Sequence, residues 1–147
     1  MPTIFGAQMG KKILIVDDEA VLVEILIQVF EEAGWDAKGA ADGQLALSSI
    51  DTFCPNVILS DINMPNLDGL QMLENVRAKG LDTPVILLTG YRDTKKMQRA
   101  WAACVFDYLD KPFKQDVLVQ LAENAYDYGE DYVRSARKRF TRIKKTA

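Results

Sequence analysis

At 147 residues, 48% of them hydrophobic and 27% charged, the chain is long enough to fold as one domain around its own core without disulfide or metal staples. No apolar run approaches the roughly 18 residues that cross a bilayer, and Met1–Gly10 lacks the charged-then-apolar order of a secretory leader, so no membrane insertion and a cytoplasmic location are expected. The absence of histidine excludes a Ser-His-Asp triad, a Cys-His pair and a His-bearing zinc site within the chain. The formal charge of −3 conceals an asymmetry: Arg134–Ala147 holds seven Lys/Arg and no acid, while the first 133 residues hold 11 basic and 21 acidic groups, a charge of −10.

The first predicted strand is Lys12–Val16, ending on Asp17-Asp18-Glu19. A helix follows over about Ala20–Ala33. Its residues Leu22, Ile25, Leu26, Val29 and Phe30 recur at helical spacing and are expected to face the core. Gly34 stops it. Trp35–Gly39 reads as a short second strand, and Asp42-Gly43 turns the chain into a helix over about Gln44–Asp51. Val57-Ile58-Leu59 is a continuous apolar run, the habit of a strand covered on both faces. It ends on Asp61 and is broken by Pro65 and Asp68-Gly69. A third helix is expected over Leu67–Lys79. Pro84–Leu88 is a fourth apolar strand ending on Thr89-Gly90, followed by a helix over Thr94–Ala103. Val105–Leu109 is a fifth strand ending on Asp110-Lys111-Pro112, and a last helix begins near Phe113. Cys54 and Cys104 fall at the ends of predicted helices, where a reduced, structural role is expected.

Strict alternation of five strands and helices implies a parallel sheet covered on both faces by helices. In such a sheet the carboxyl ends of the strands share one edge, where ligands bind. Asp17 and Asp18 close the first strand, Asp61 the third, Thr89 the fourth and Lys111 the fifth. Taken alone, Asp61 is as well explained as a cap for the next helix. Taken together, three carboxylates, a hydroxyl and an ammonium converge on one place. Carboxylates so close repel one another unless a cation joins them. With only oxygen donors on offer, Mg²⁺ is the fitting ion, with Mn²⁺ as a substitute. Asp61 then reads as a nucleophile that forms an aspartyl phosphate. Lys111 and the metal would neutralise the phosphoryl oxygens, and the Thr89 hydroxyl would hydrogen-bond one of them. No GxxxxGK[ST] or GxGxxG loop is present, which argues against nucleotide binding at the site.

With these residues in place, the chain resembles the receiver domain of two-component response regulators. The resemblance covers about Lys12–Tyr128 and rests on Ile15-Val16-Asp17-Asp18, Leu59-Ser60-Asp61-Ile62-Asn63-Met64-Pro65, Leu88-Thr89-Gly90 and Asp107-Tyr108-Leu109-Asp110-Lys111-Pro112-Phe113. It implies a flavodoxin-like, doubly wound (βα)5 α/β fold with strand order 2-1-3-4-5. It also implies that Asp61 accepts phosphate from a histidine of a sensor histidine kinase or histidine phosphotransfer protein. Asp18, Asp61 and the Asn63 backbone carbonyl would ligate Mg²⁺, with Asp17 acting through water, and Lys111 would contact the phosphate. Thr89 and Tyr108 would form the switch, remodelling the face made by helix four, strand five and helix five. The Lys111-Pro112 peptide would be cis. Such a protein is a phosphoacceptor regulator, not an enzyme with turnover. Taking a switch from 1:99 to 99:1 requires about 5.5 kcal/mol, and one charged hydrogen bond supplies roughly 1.5–3, so Thr89 cannot act alone. Where many relatives have Gly-Ala, this chain has Cys104-Val105; a left-handed conformation there would cost a non-glycine roughly 1 kcal/mol. Tyr91, two residues past Thr89, is placed to shield a phosphoryl group from water, so slow autodephosphorylation is expected.

Other surfaces carry further expectations. Val23 and Ile27 appear on the outward side of the first helix, beside Glu24, Gln28 and Glu31, where the resemblance puts docking of the phosphodonor. Trp101, on helix four, is expected to be partly exposed as a partner anchor. Apolar residues recur at Val117, Leu121, Ala125, Tyr128, Tyr132, Ala136, Phe140 and Ile143, so the last helix should run past the domain, interrupted only by Gly129. From Phe113 to Ile143 it would be about 46 Å long, its outer half requiring a partner. The expected organisation is an extension over 1–11, the domain over 12–128 and a basic extension over 129–147. For that extension a solvated end or linker ranks first, homodimerisation through the last helix second, and nucleic-acid contact third and not expected. The rival activity is a Mg²⁺ phosphohydrolase of the haloacid-dehalogenase type with Asp61 as nucleophile. Such enzymes place the nucleophile on the first strand with an acid two residues later, whereas here it lies on the third strand and Asn63 holds that second position.

Overall fold

The structure, a computed structural model, describes residues 10–146, with side chains as far as residue 139. The elements run β1 (Lys12–Val16), α1 (Ala20–Glu32), β2 (Asp36–Ala40), α2 (Gly43–Phe53), β3 (Val57–Asp61), α3 (Gly69–Ala78), β4 (Val85–Thr89), α4 (Thr94–Ala102), β5 (Asp107–Asp110) and α5 (Gln115–Asn124). A π-helical turn over Ala125–Gly129 then leads into α6 (Glu130–Thr146). The strands form one parallel five-stranded sheet in the order β2-β1-β3-β4-β5, the expected flavodoxin-like arrangement. Every residue of β3 and β4 is buried, which is why both read as unbroken apolar runs. β2, at the edge, alternates instead and carries Asp36 and Lys38.

Successive strand residues serve opposite faces. Leu14, Val16, Ile58 and Leu87 join a core with Ala46, Leu73, Val76 and Ala100 of α2, α3 and α4. Ile13, Ile15, Leu59 and Ile86 join a second core with Leu26 and Phe30 of α1 and Leu118 and Ala122 of α5. Burying a side chain such as Phe30 contributes about 1.5–3 kcal/mol. Asp42, Asp68 and Asp93 accept hydrogen bonds from the first-turn amides of α2, α3 and α4, and Asp68 with Gln71 forms a reciprocal capping box. Both cysteines are free thiols. Each ends a helix in the left-handed conformation, Cys54 at φ 53° and Cys104 at φ 58°. The non-glycine strain expected at Cys104 is therefore present.

Two expectations are corrected. α1 is rotated from its predicted face: Val23 is 9% exposed and buried, Ile27 is half-buried, and Ile25 is 44% exposed. The cause lies on β2, where a Cβ at Gly39 would come within 2.5 Å of Val23 Cγ1 and 3.4 Å of Ile27 Cδ1. The missing side chain lets α1 settle onto the strand through Val23. The second correction concerns the last helix, which Gly129 does not interrupt. The wider π turn shifts the phase so that Ala125, Gly129 and Val133 all face the body. Val133 is fully buried, and Phe106 meets Tyr128 and Tyr132 at ring-centroid distances of 5.7 and 5.8 Å. Packing thus continues across the boundary expected between Tyr128 and Gly129. As far as residue 139, α6 rests on its own domain through Val133 and Arg137, while Tyr132 and the other side chains of its outer face stay exposed. The expected stripe positions Phe140 and Ile143 lie outside the described side chains.

Candidate functional site at the carboxyl edge of the sheet

Each strand brings its last residues to the same edge. Asp17 leaves β1 with its amide donating to the Ala40 carbonyl at 3.1 Å, and its own carboxylate accepts the Glu19 amide at 2.9 Å. Asp61 ends β3 opposite Leu88 of β4. Thr89 pairs with Asp110 of β5, and its carbonyl accepts the Lys111 amide at 2.8 Å. Neighbouring strands thereby fix the heights of Asp61, Thr89 and Lys111 through main-chain bonds. Lys111-Pro112 is a cis peptide bond.

Carboxylate oxygens of Asp17, Asp18 and Asp61 all lie within 4.8 Å of one another. Asp17 and Asp61 are buried and Asp18 is exposed. Lys111 Nζ lies 3.2 Å from Asp61 Oδ1 and 3.5 Å from Asp17 Oδ2. Burial pushes the Asp61 carboxyl above its ordinary value; Lys111 opposes this, and Asp17 and Asp18 add to it. The Lys111 ammonium is itself held above its ordinary range: burial pulls it down, but the Asp61 and Asp17 carboxylates outweigh that. One ammonium therefore faces three carboxylates. The cluster offers oxygen donors only and retains excess negative charge, the donor set of a hard divalent cation.

The other expected residues surround this cluster in a particular state. The Thr89 hydroxyl donates to the Tyr91 carbonyl at 2.6 Å and accepts the Tyr91 amide at 3.2 Å, so it is engaged by its own loop. Tyr108 is buried, with its hydroxyl donating to the Met97 carbonyl of α4 at 3.0 Å. Its ring stands edge-to-face on Trp101, centroids 5.5 Å apart, and the Arg92 guanidinium lies 5.8 Å from its centroid. Trp101 is 45% exposed, and Tyr91 is 78% exposed. Asn63 is exposed in the β3–α3 loop, its side-chain oxygen accepting from Lys96 Nζ at 3.2 Å. Val23 and Ile27 do not form an outward patch. With Ala20, Glu24, Gly39 and Ala41 they line a groove of about 330 Å³ that opens beside Asp17 and Asp18.

The match to known proteins is decisive at this point: the response regulator receiver domain profile fits residues 13–123. The chain belongs to that receiver family. The receiver is 37% identical to the regulatory protein AtoC of Escherichia coli K12 over 114 residues, which is 78% of this chain and 25% of AtoC. It is 33% identical to the DNA-binding transcriptional regulator NtrC of Klebsiella pneumoniae, over 80% of this chain and 25% of NtrC. It thus spans about a quarter of either relative. Among solved structures, a CheY-like response regulator receiver domain protein from Methanospirillum hungatei superposes with a TM-score of 0.78 at 27% identity, covering 82% of this chain and 97% of that one.

Several residues of this receiver site were not singled out from sequence. Ser60 is fully buried beneath Asp61, its hydroxyl donating to the Asp61 carbonyl at 2.9 Å. Gly69 starts α3 so close to β3 that a Cβ there would collide with the Asp61 carbonyl; Asp68-Gly69 signals a turn, but the close approach is tertiary. Gly43 likewise lies against the Leu67 carbonyl, 2.5 Å from where a Cβ would be. Among the described residues no helix is long and apolar enough to cross a membrane.

Proposed function

We propose that this receiver is a phosphorylation-dependent switch of a two-component system, and that Asp61 is its phosphoacceptor. The observation that carries the reading is the ion pair of Lys111 with the buried Asp61, beside Asp17 and Asp18. An Asp61 carboxylate oxygen attacks the phosphorus of a phosphohistidine on a sensor kinase or phosphotransfer protein. A P–O bond forms, the P–N bond breaks, and the imidazole leaves with the electron pair. Burial raises the Asp61 carboxyl, and the Lys111 ammonium beside it opposes that rise. Lys111 then follows the charge onto the phosphoryl oxygens. Asp18, Asp61 and the Asn63 main-chain carbonyl, with Asp17 acting through water, would hold a Mg²⁺, which would supply the remaining neutralisation.

In the described conformation Thr89 is bonded to Tyr91 and Tyr108 to Met97, which supports reading it as the resting state. A new phosphoryl dianion draws the Thr89 hydroxyl from the Tyr91 carbonyl, and Tyr108 turns into the vacated space, loosening its hold on α4. Tyr91 then covers the phosphoryl group and slows its hydrolysis. The groove between α1 and β2 seats the donor's helix, with Glu24 at its rim. Glu24→Lys should slow transfer from the cognate histidine donor more than from a small phosphodonor.

The deciding experiment is intact-mass measurement after incubation with Mg²⁺ and a small phosphodonor. One phosphoryl group per chain, absent in Asp61→Asn, is expected. Continuous release of phosphate with no trapped adduct would overturn the reading in favour of a hydrolase.

A further inference from the structure

Arg77, near the end of α3, is 8% exposed yet charged. Burial pulls its guanidinium down only to about 10, so it stays protonated at neutral pH. Its Nε donates to the Ala103 carbonyl at 3.0 Å and Nη2 to the Cys104 carbonyl at 3.0 Å. These carbonyls lie just past the end of α4, where the chain turns left-handed at Cys104. Its Nη1 donates to the carbonyls of Leu81 and Thr83 at 3.0 and 2.7 Å. One planar cation thus joins the end of α4 to the loop before β4.

α6 grips that same loop. Arg137 donates to Asp82 at 2.7 Å, to the Leu81 carbonyl at 3.3 Å and to the main-chain carbonyl of Arg77 itself at 3.2 Å. Arg134 adds a second bond to Asp82 at 3.2 Å. One turn earlier, Gly129 lies against Pro84, which precedes β4; a Cβ would stand 2.7 Å from Pro84 Cβ. Arg77 and α6 thus share the Leu81 carbonyl as an acceptor and otherwise hold adjacent residues of one loop, Asp82 and Thr83, and the strand that follows that loop ends at Thr89.

We propose that Arg77 is a positioning residue coupling the end of α4 to α6, so that phosphorylation of Asp61 loosens α6 from the Leu81–Thr83 loop. This rests on the phosphoacceptor reading above. When α4 moves, the Ala103 and Cys104 carbonyls move with it, and a rigid guanidinium cannot keep both those bonds and its bonds to Leu81 and Thr83. The loop shifts, and Arg134 and Arg137 lose their aligned acceptors. α6 becomes the element that carries the signal to whatever lies downstream. Coupling is reciprocal: releasing α6 must favour the loaded state.

The test uses the full chain with Mg²⁺ and beryllofluoride as phosphoryl mimic, followed by amide hydrogen exchange. Loading should speed exchange over 130–139 by about 5-fold or more. Asp82→Asn should speed it without the mimic and tighten beryllofluoride binding by a similar factor. Arg77→Lys, which keeps the charge but not the planar fork, should leave exchange at 89–91 responsive while the response at 130–139 is lost. A merely structural Arg77 would change stability but neither the response nor the affinity. Exchange at 130–139 indifferent to loading while 89–91 responds would overturn the coupling alone. Indifference of both would remove the phosphoacceptor reading and the coupling with it.

Discussion

The two edges of the sheet are built on opposite principles. At the carboxyl edge, Asp17, Asp18 and Asp61 crowd together with one ammonium among them. At the amino edge, charges are matched and rings fill the gaps. Lys11 pairs with Glu123 at 2.7 Å, Glu123 also accepts from Trp35 Nε1 at 3.0 Å, and Trp35 stands between Phe30 and Tyr126. Asp82 takes two arginines from α6, and Arg77 satisfies four carbonyls. Stability is concentrated at one end, and unbalanced charge is tolerated at the other, where a ligand would complete it.

The sharpest way to break this contrast is Arg77→Ala. It removes the guanidinium from four carbonyls, of which Cys104's is buried, those of Ala103 and Thr83 are partly buried and Leu81's keeps Arg137, and should cost about 3 kcal/mol, read from the denaturant midpoint. A loss below 1 kcal/mol would mean that water replaces the guanidinium. Val133→Ala should cost about 2 kcal/mol, because the side chain is fully buried; a negligible loss would show that α6 is not docked in solution. Gly129→Ala gains helix propensity but drives a methyl into Pro84, for a net loss of about 1 kcal/mol.

The smallest effect should have the opposite sign. Asp61→Asn, measured with chelator present, should stabilise the fold by about 0.5–2 kcal/mol at neutral pH. Because the Asp61 carboxyl is held above its ordinary value near 3.8 by burial, folding favours its protonated form. The destabilisation is absent below the ordinary value, grows as pH rises from there to the folded one, and is constant above it. The advantage of the asparagine variant should therefore vanish in acid below about pH 3.8. An advantage that persisted there would have to come from something other than charge.

The contrast also explains what could be read in advance. The acidic cluster was legible because each member closes a recognisable apolar strand, and parallel topology alone brings such ends together. β4 and β3 announced themselves by uninterrupted burial. The face of α1 was not legible: Leu22, Val23, Ile25, Leu26, Ile27, Val29 and Phe30 form an apolar band too broad to orient the helix. Gly39, which decides the matter, is on another element. Arg77 was equally hidden, because an arginine amid Glu74, Asn75 and Lys79 reads as surface. The docking of α6 was missed because a π turn alters the period on which stripe reading depends.

The edge-to-face contact of Trp101 with Tyr108 has an optical consequence. The chain has two tryptophans. Trp35 is sealed at the amino edge, 4% exposed and hydrogen-bonded to Glu123, so its emission should be blue-shifted and constant. Trp101 is half open to water and touches the ring expected to turn. Its emission colour and its quenching by iodide should follow the position of Tyr108, so that Trp35→Phe would leave a protein whose fluorescence reports its own signalling state without any attached dye.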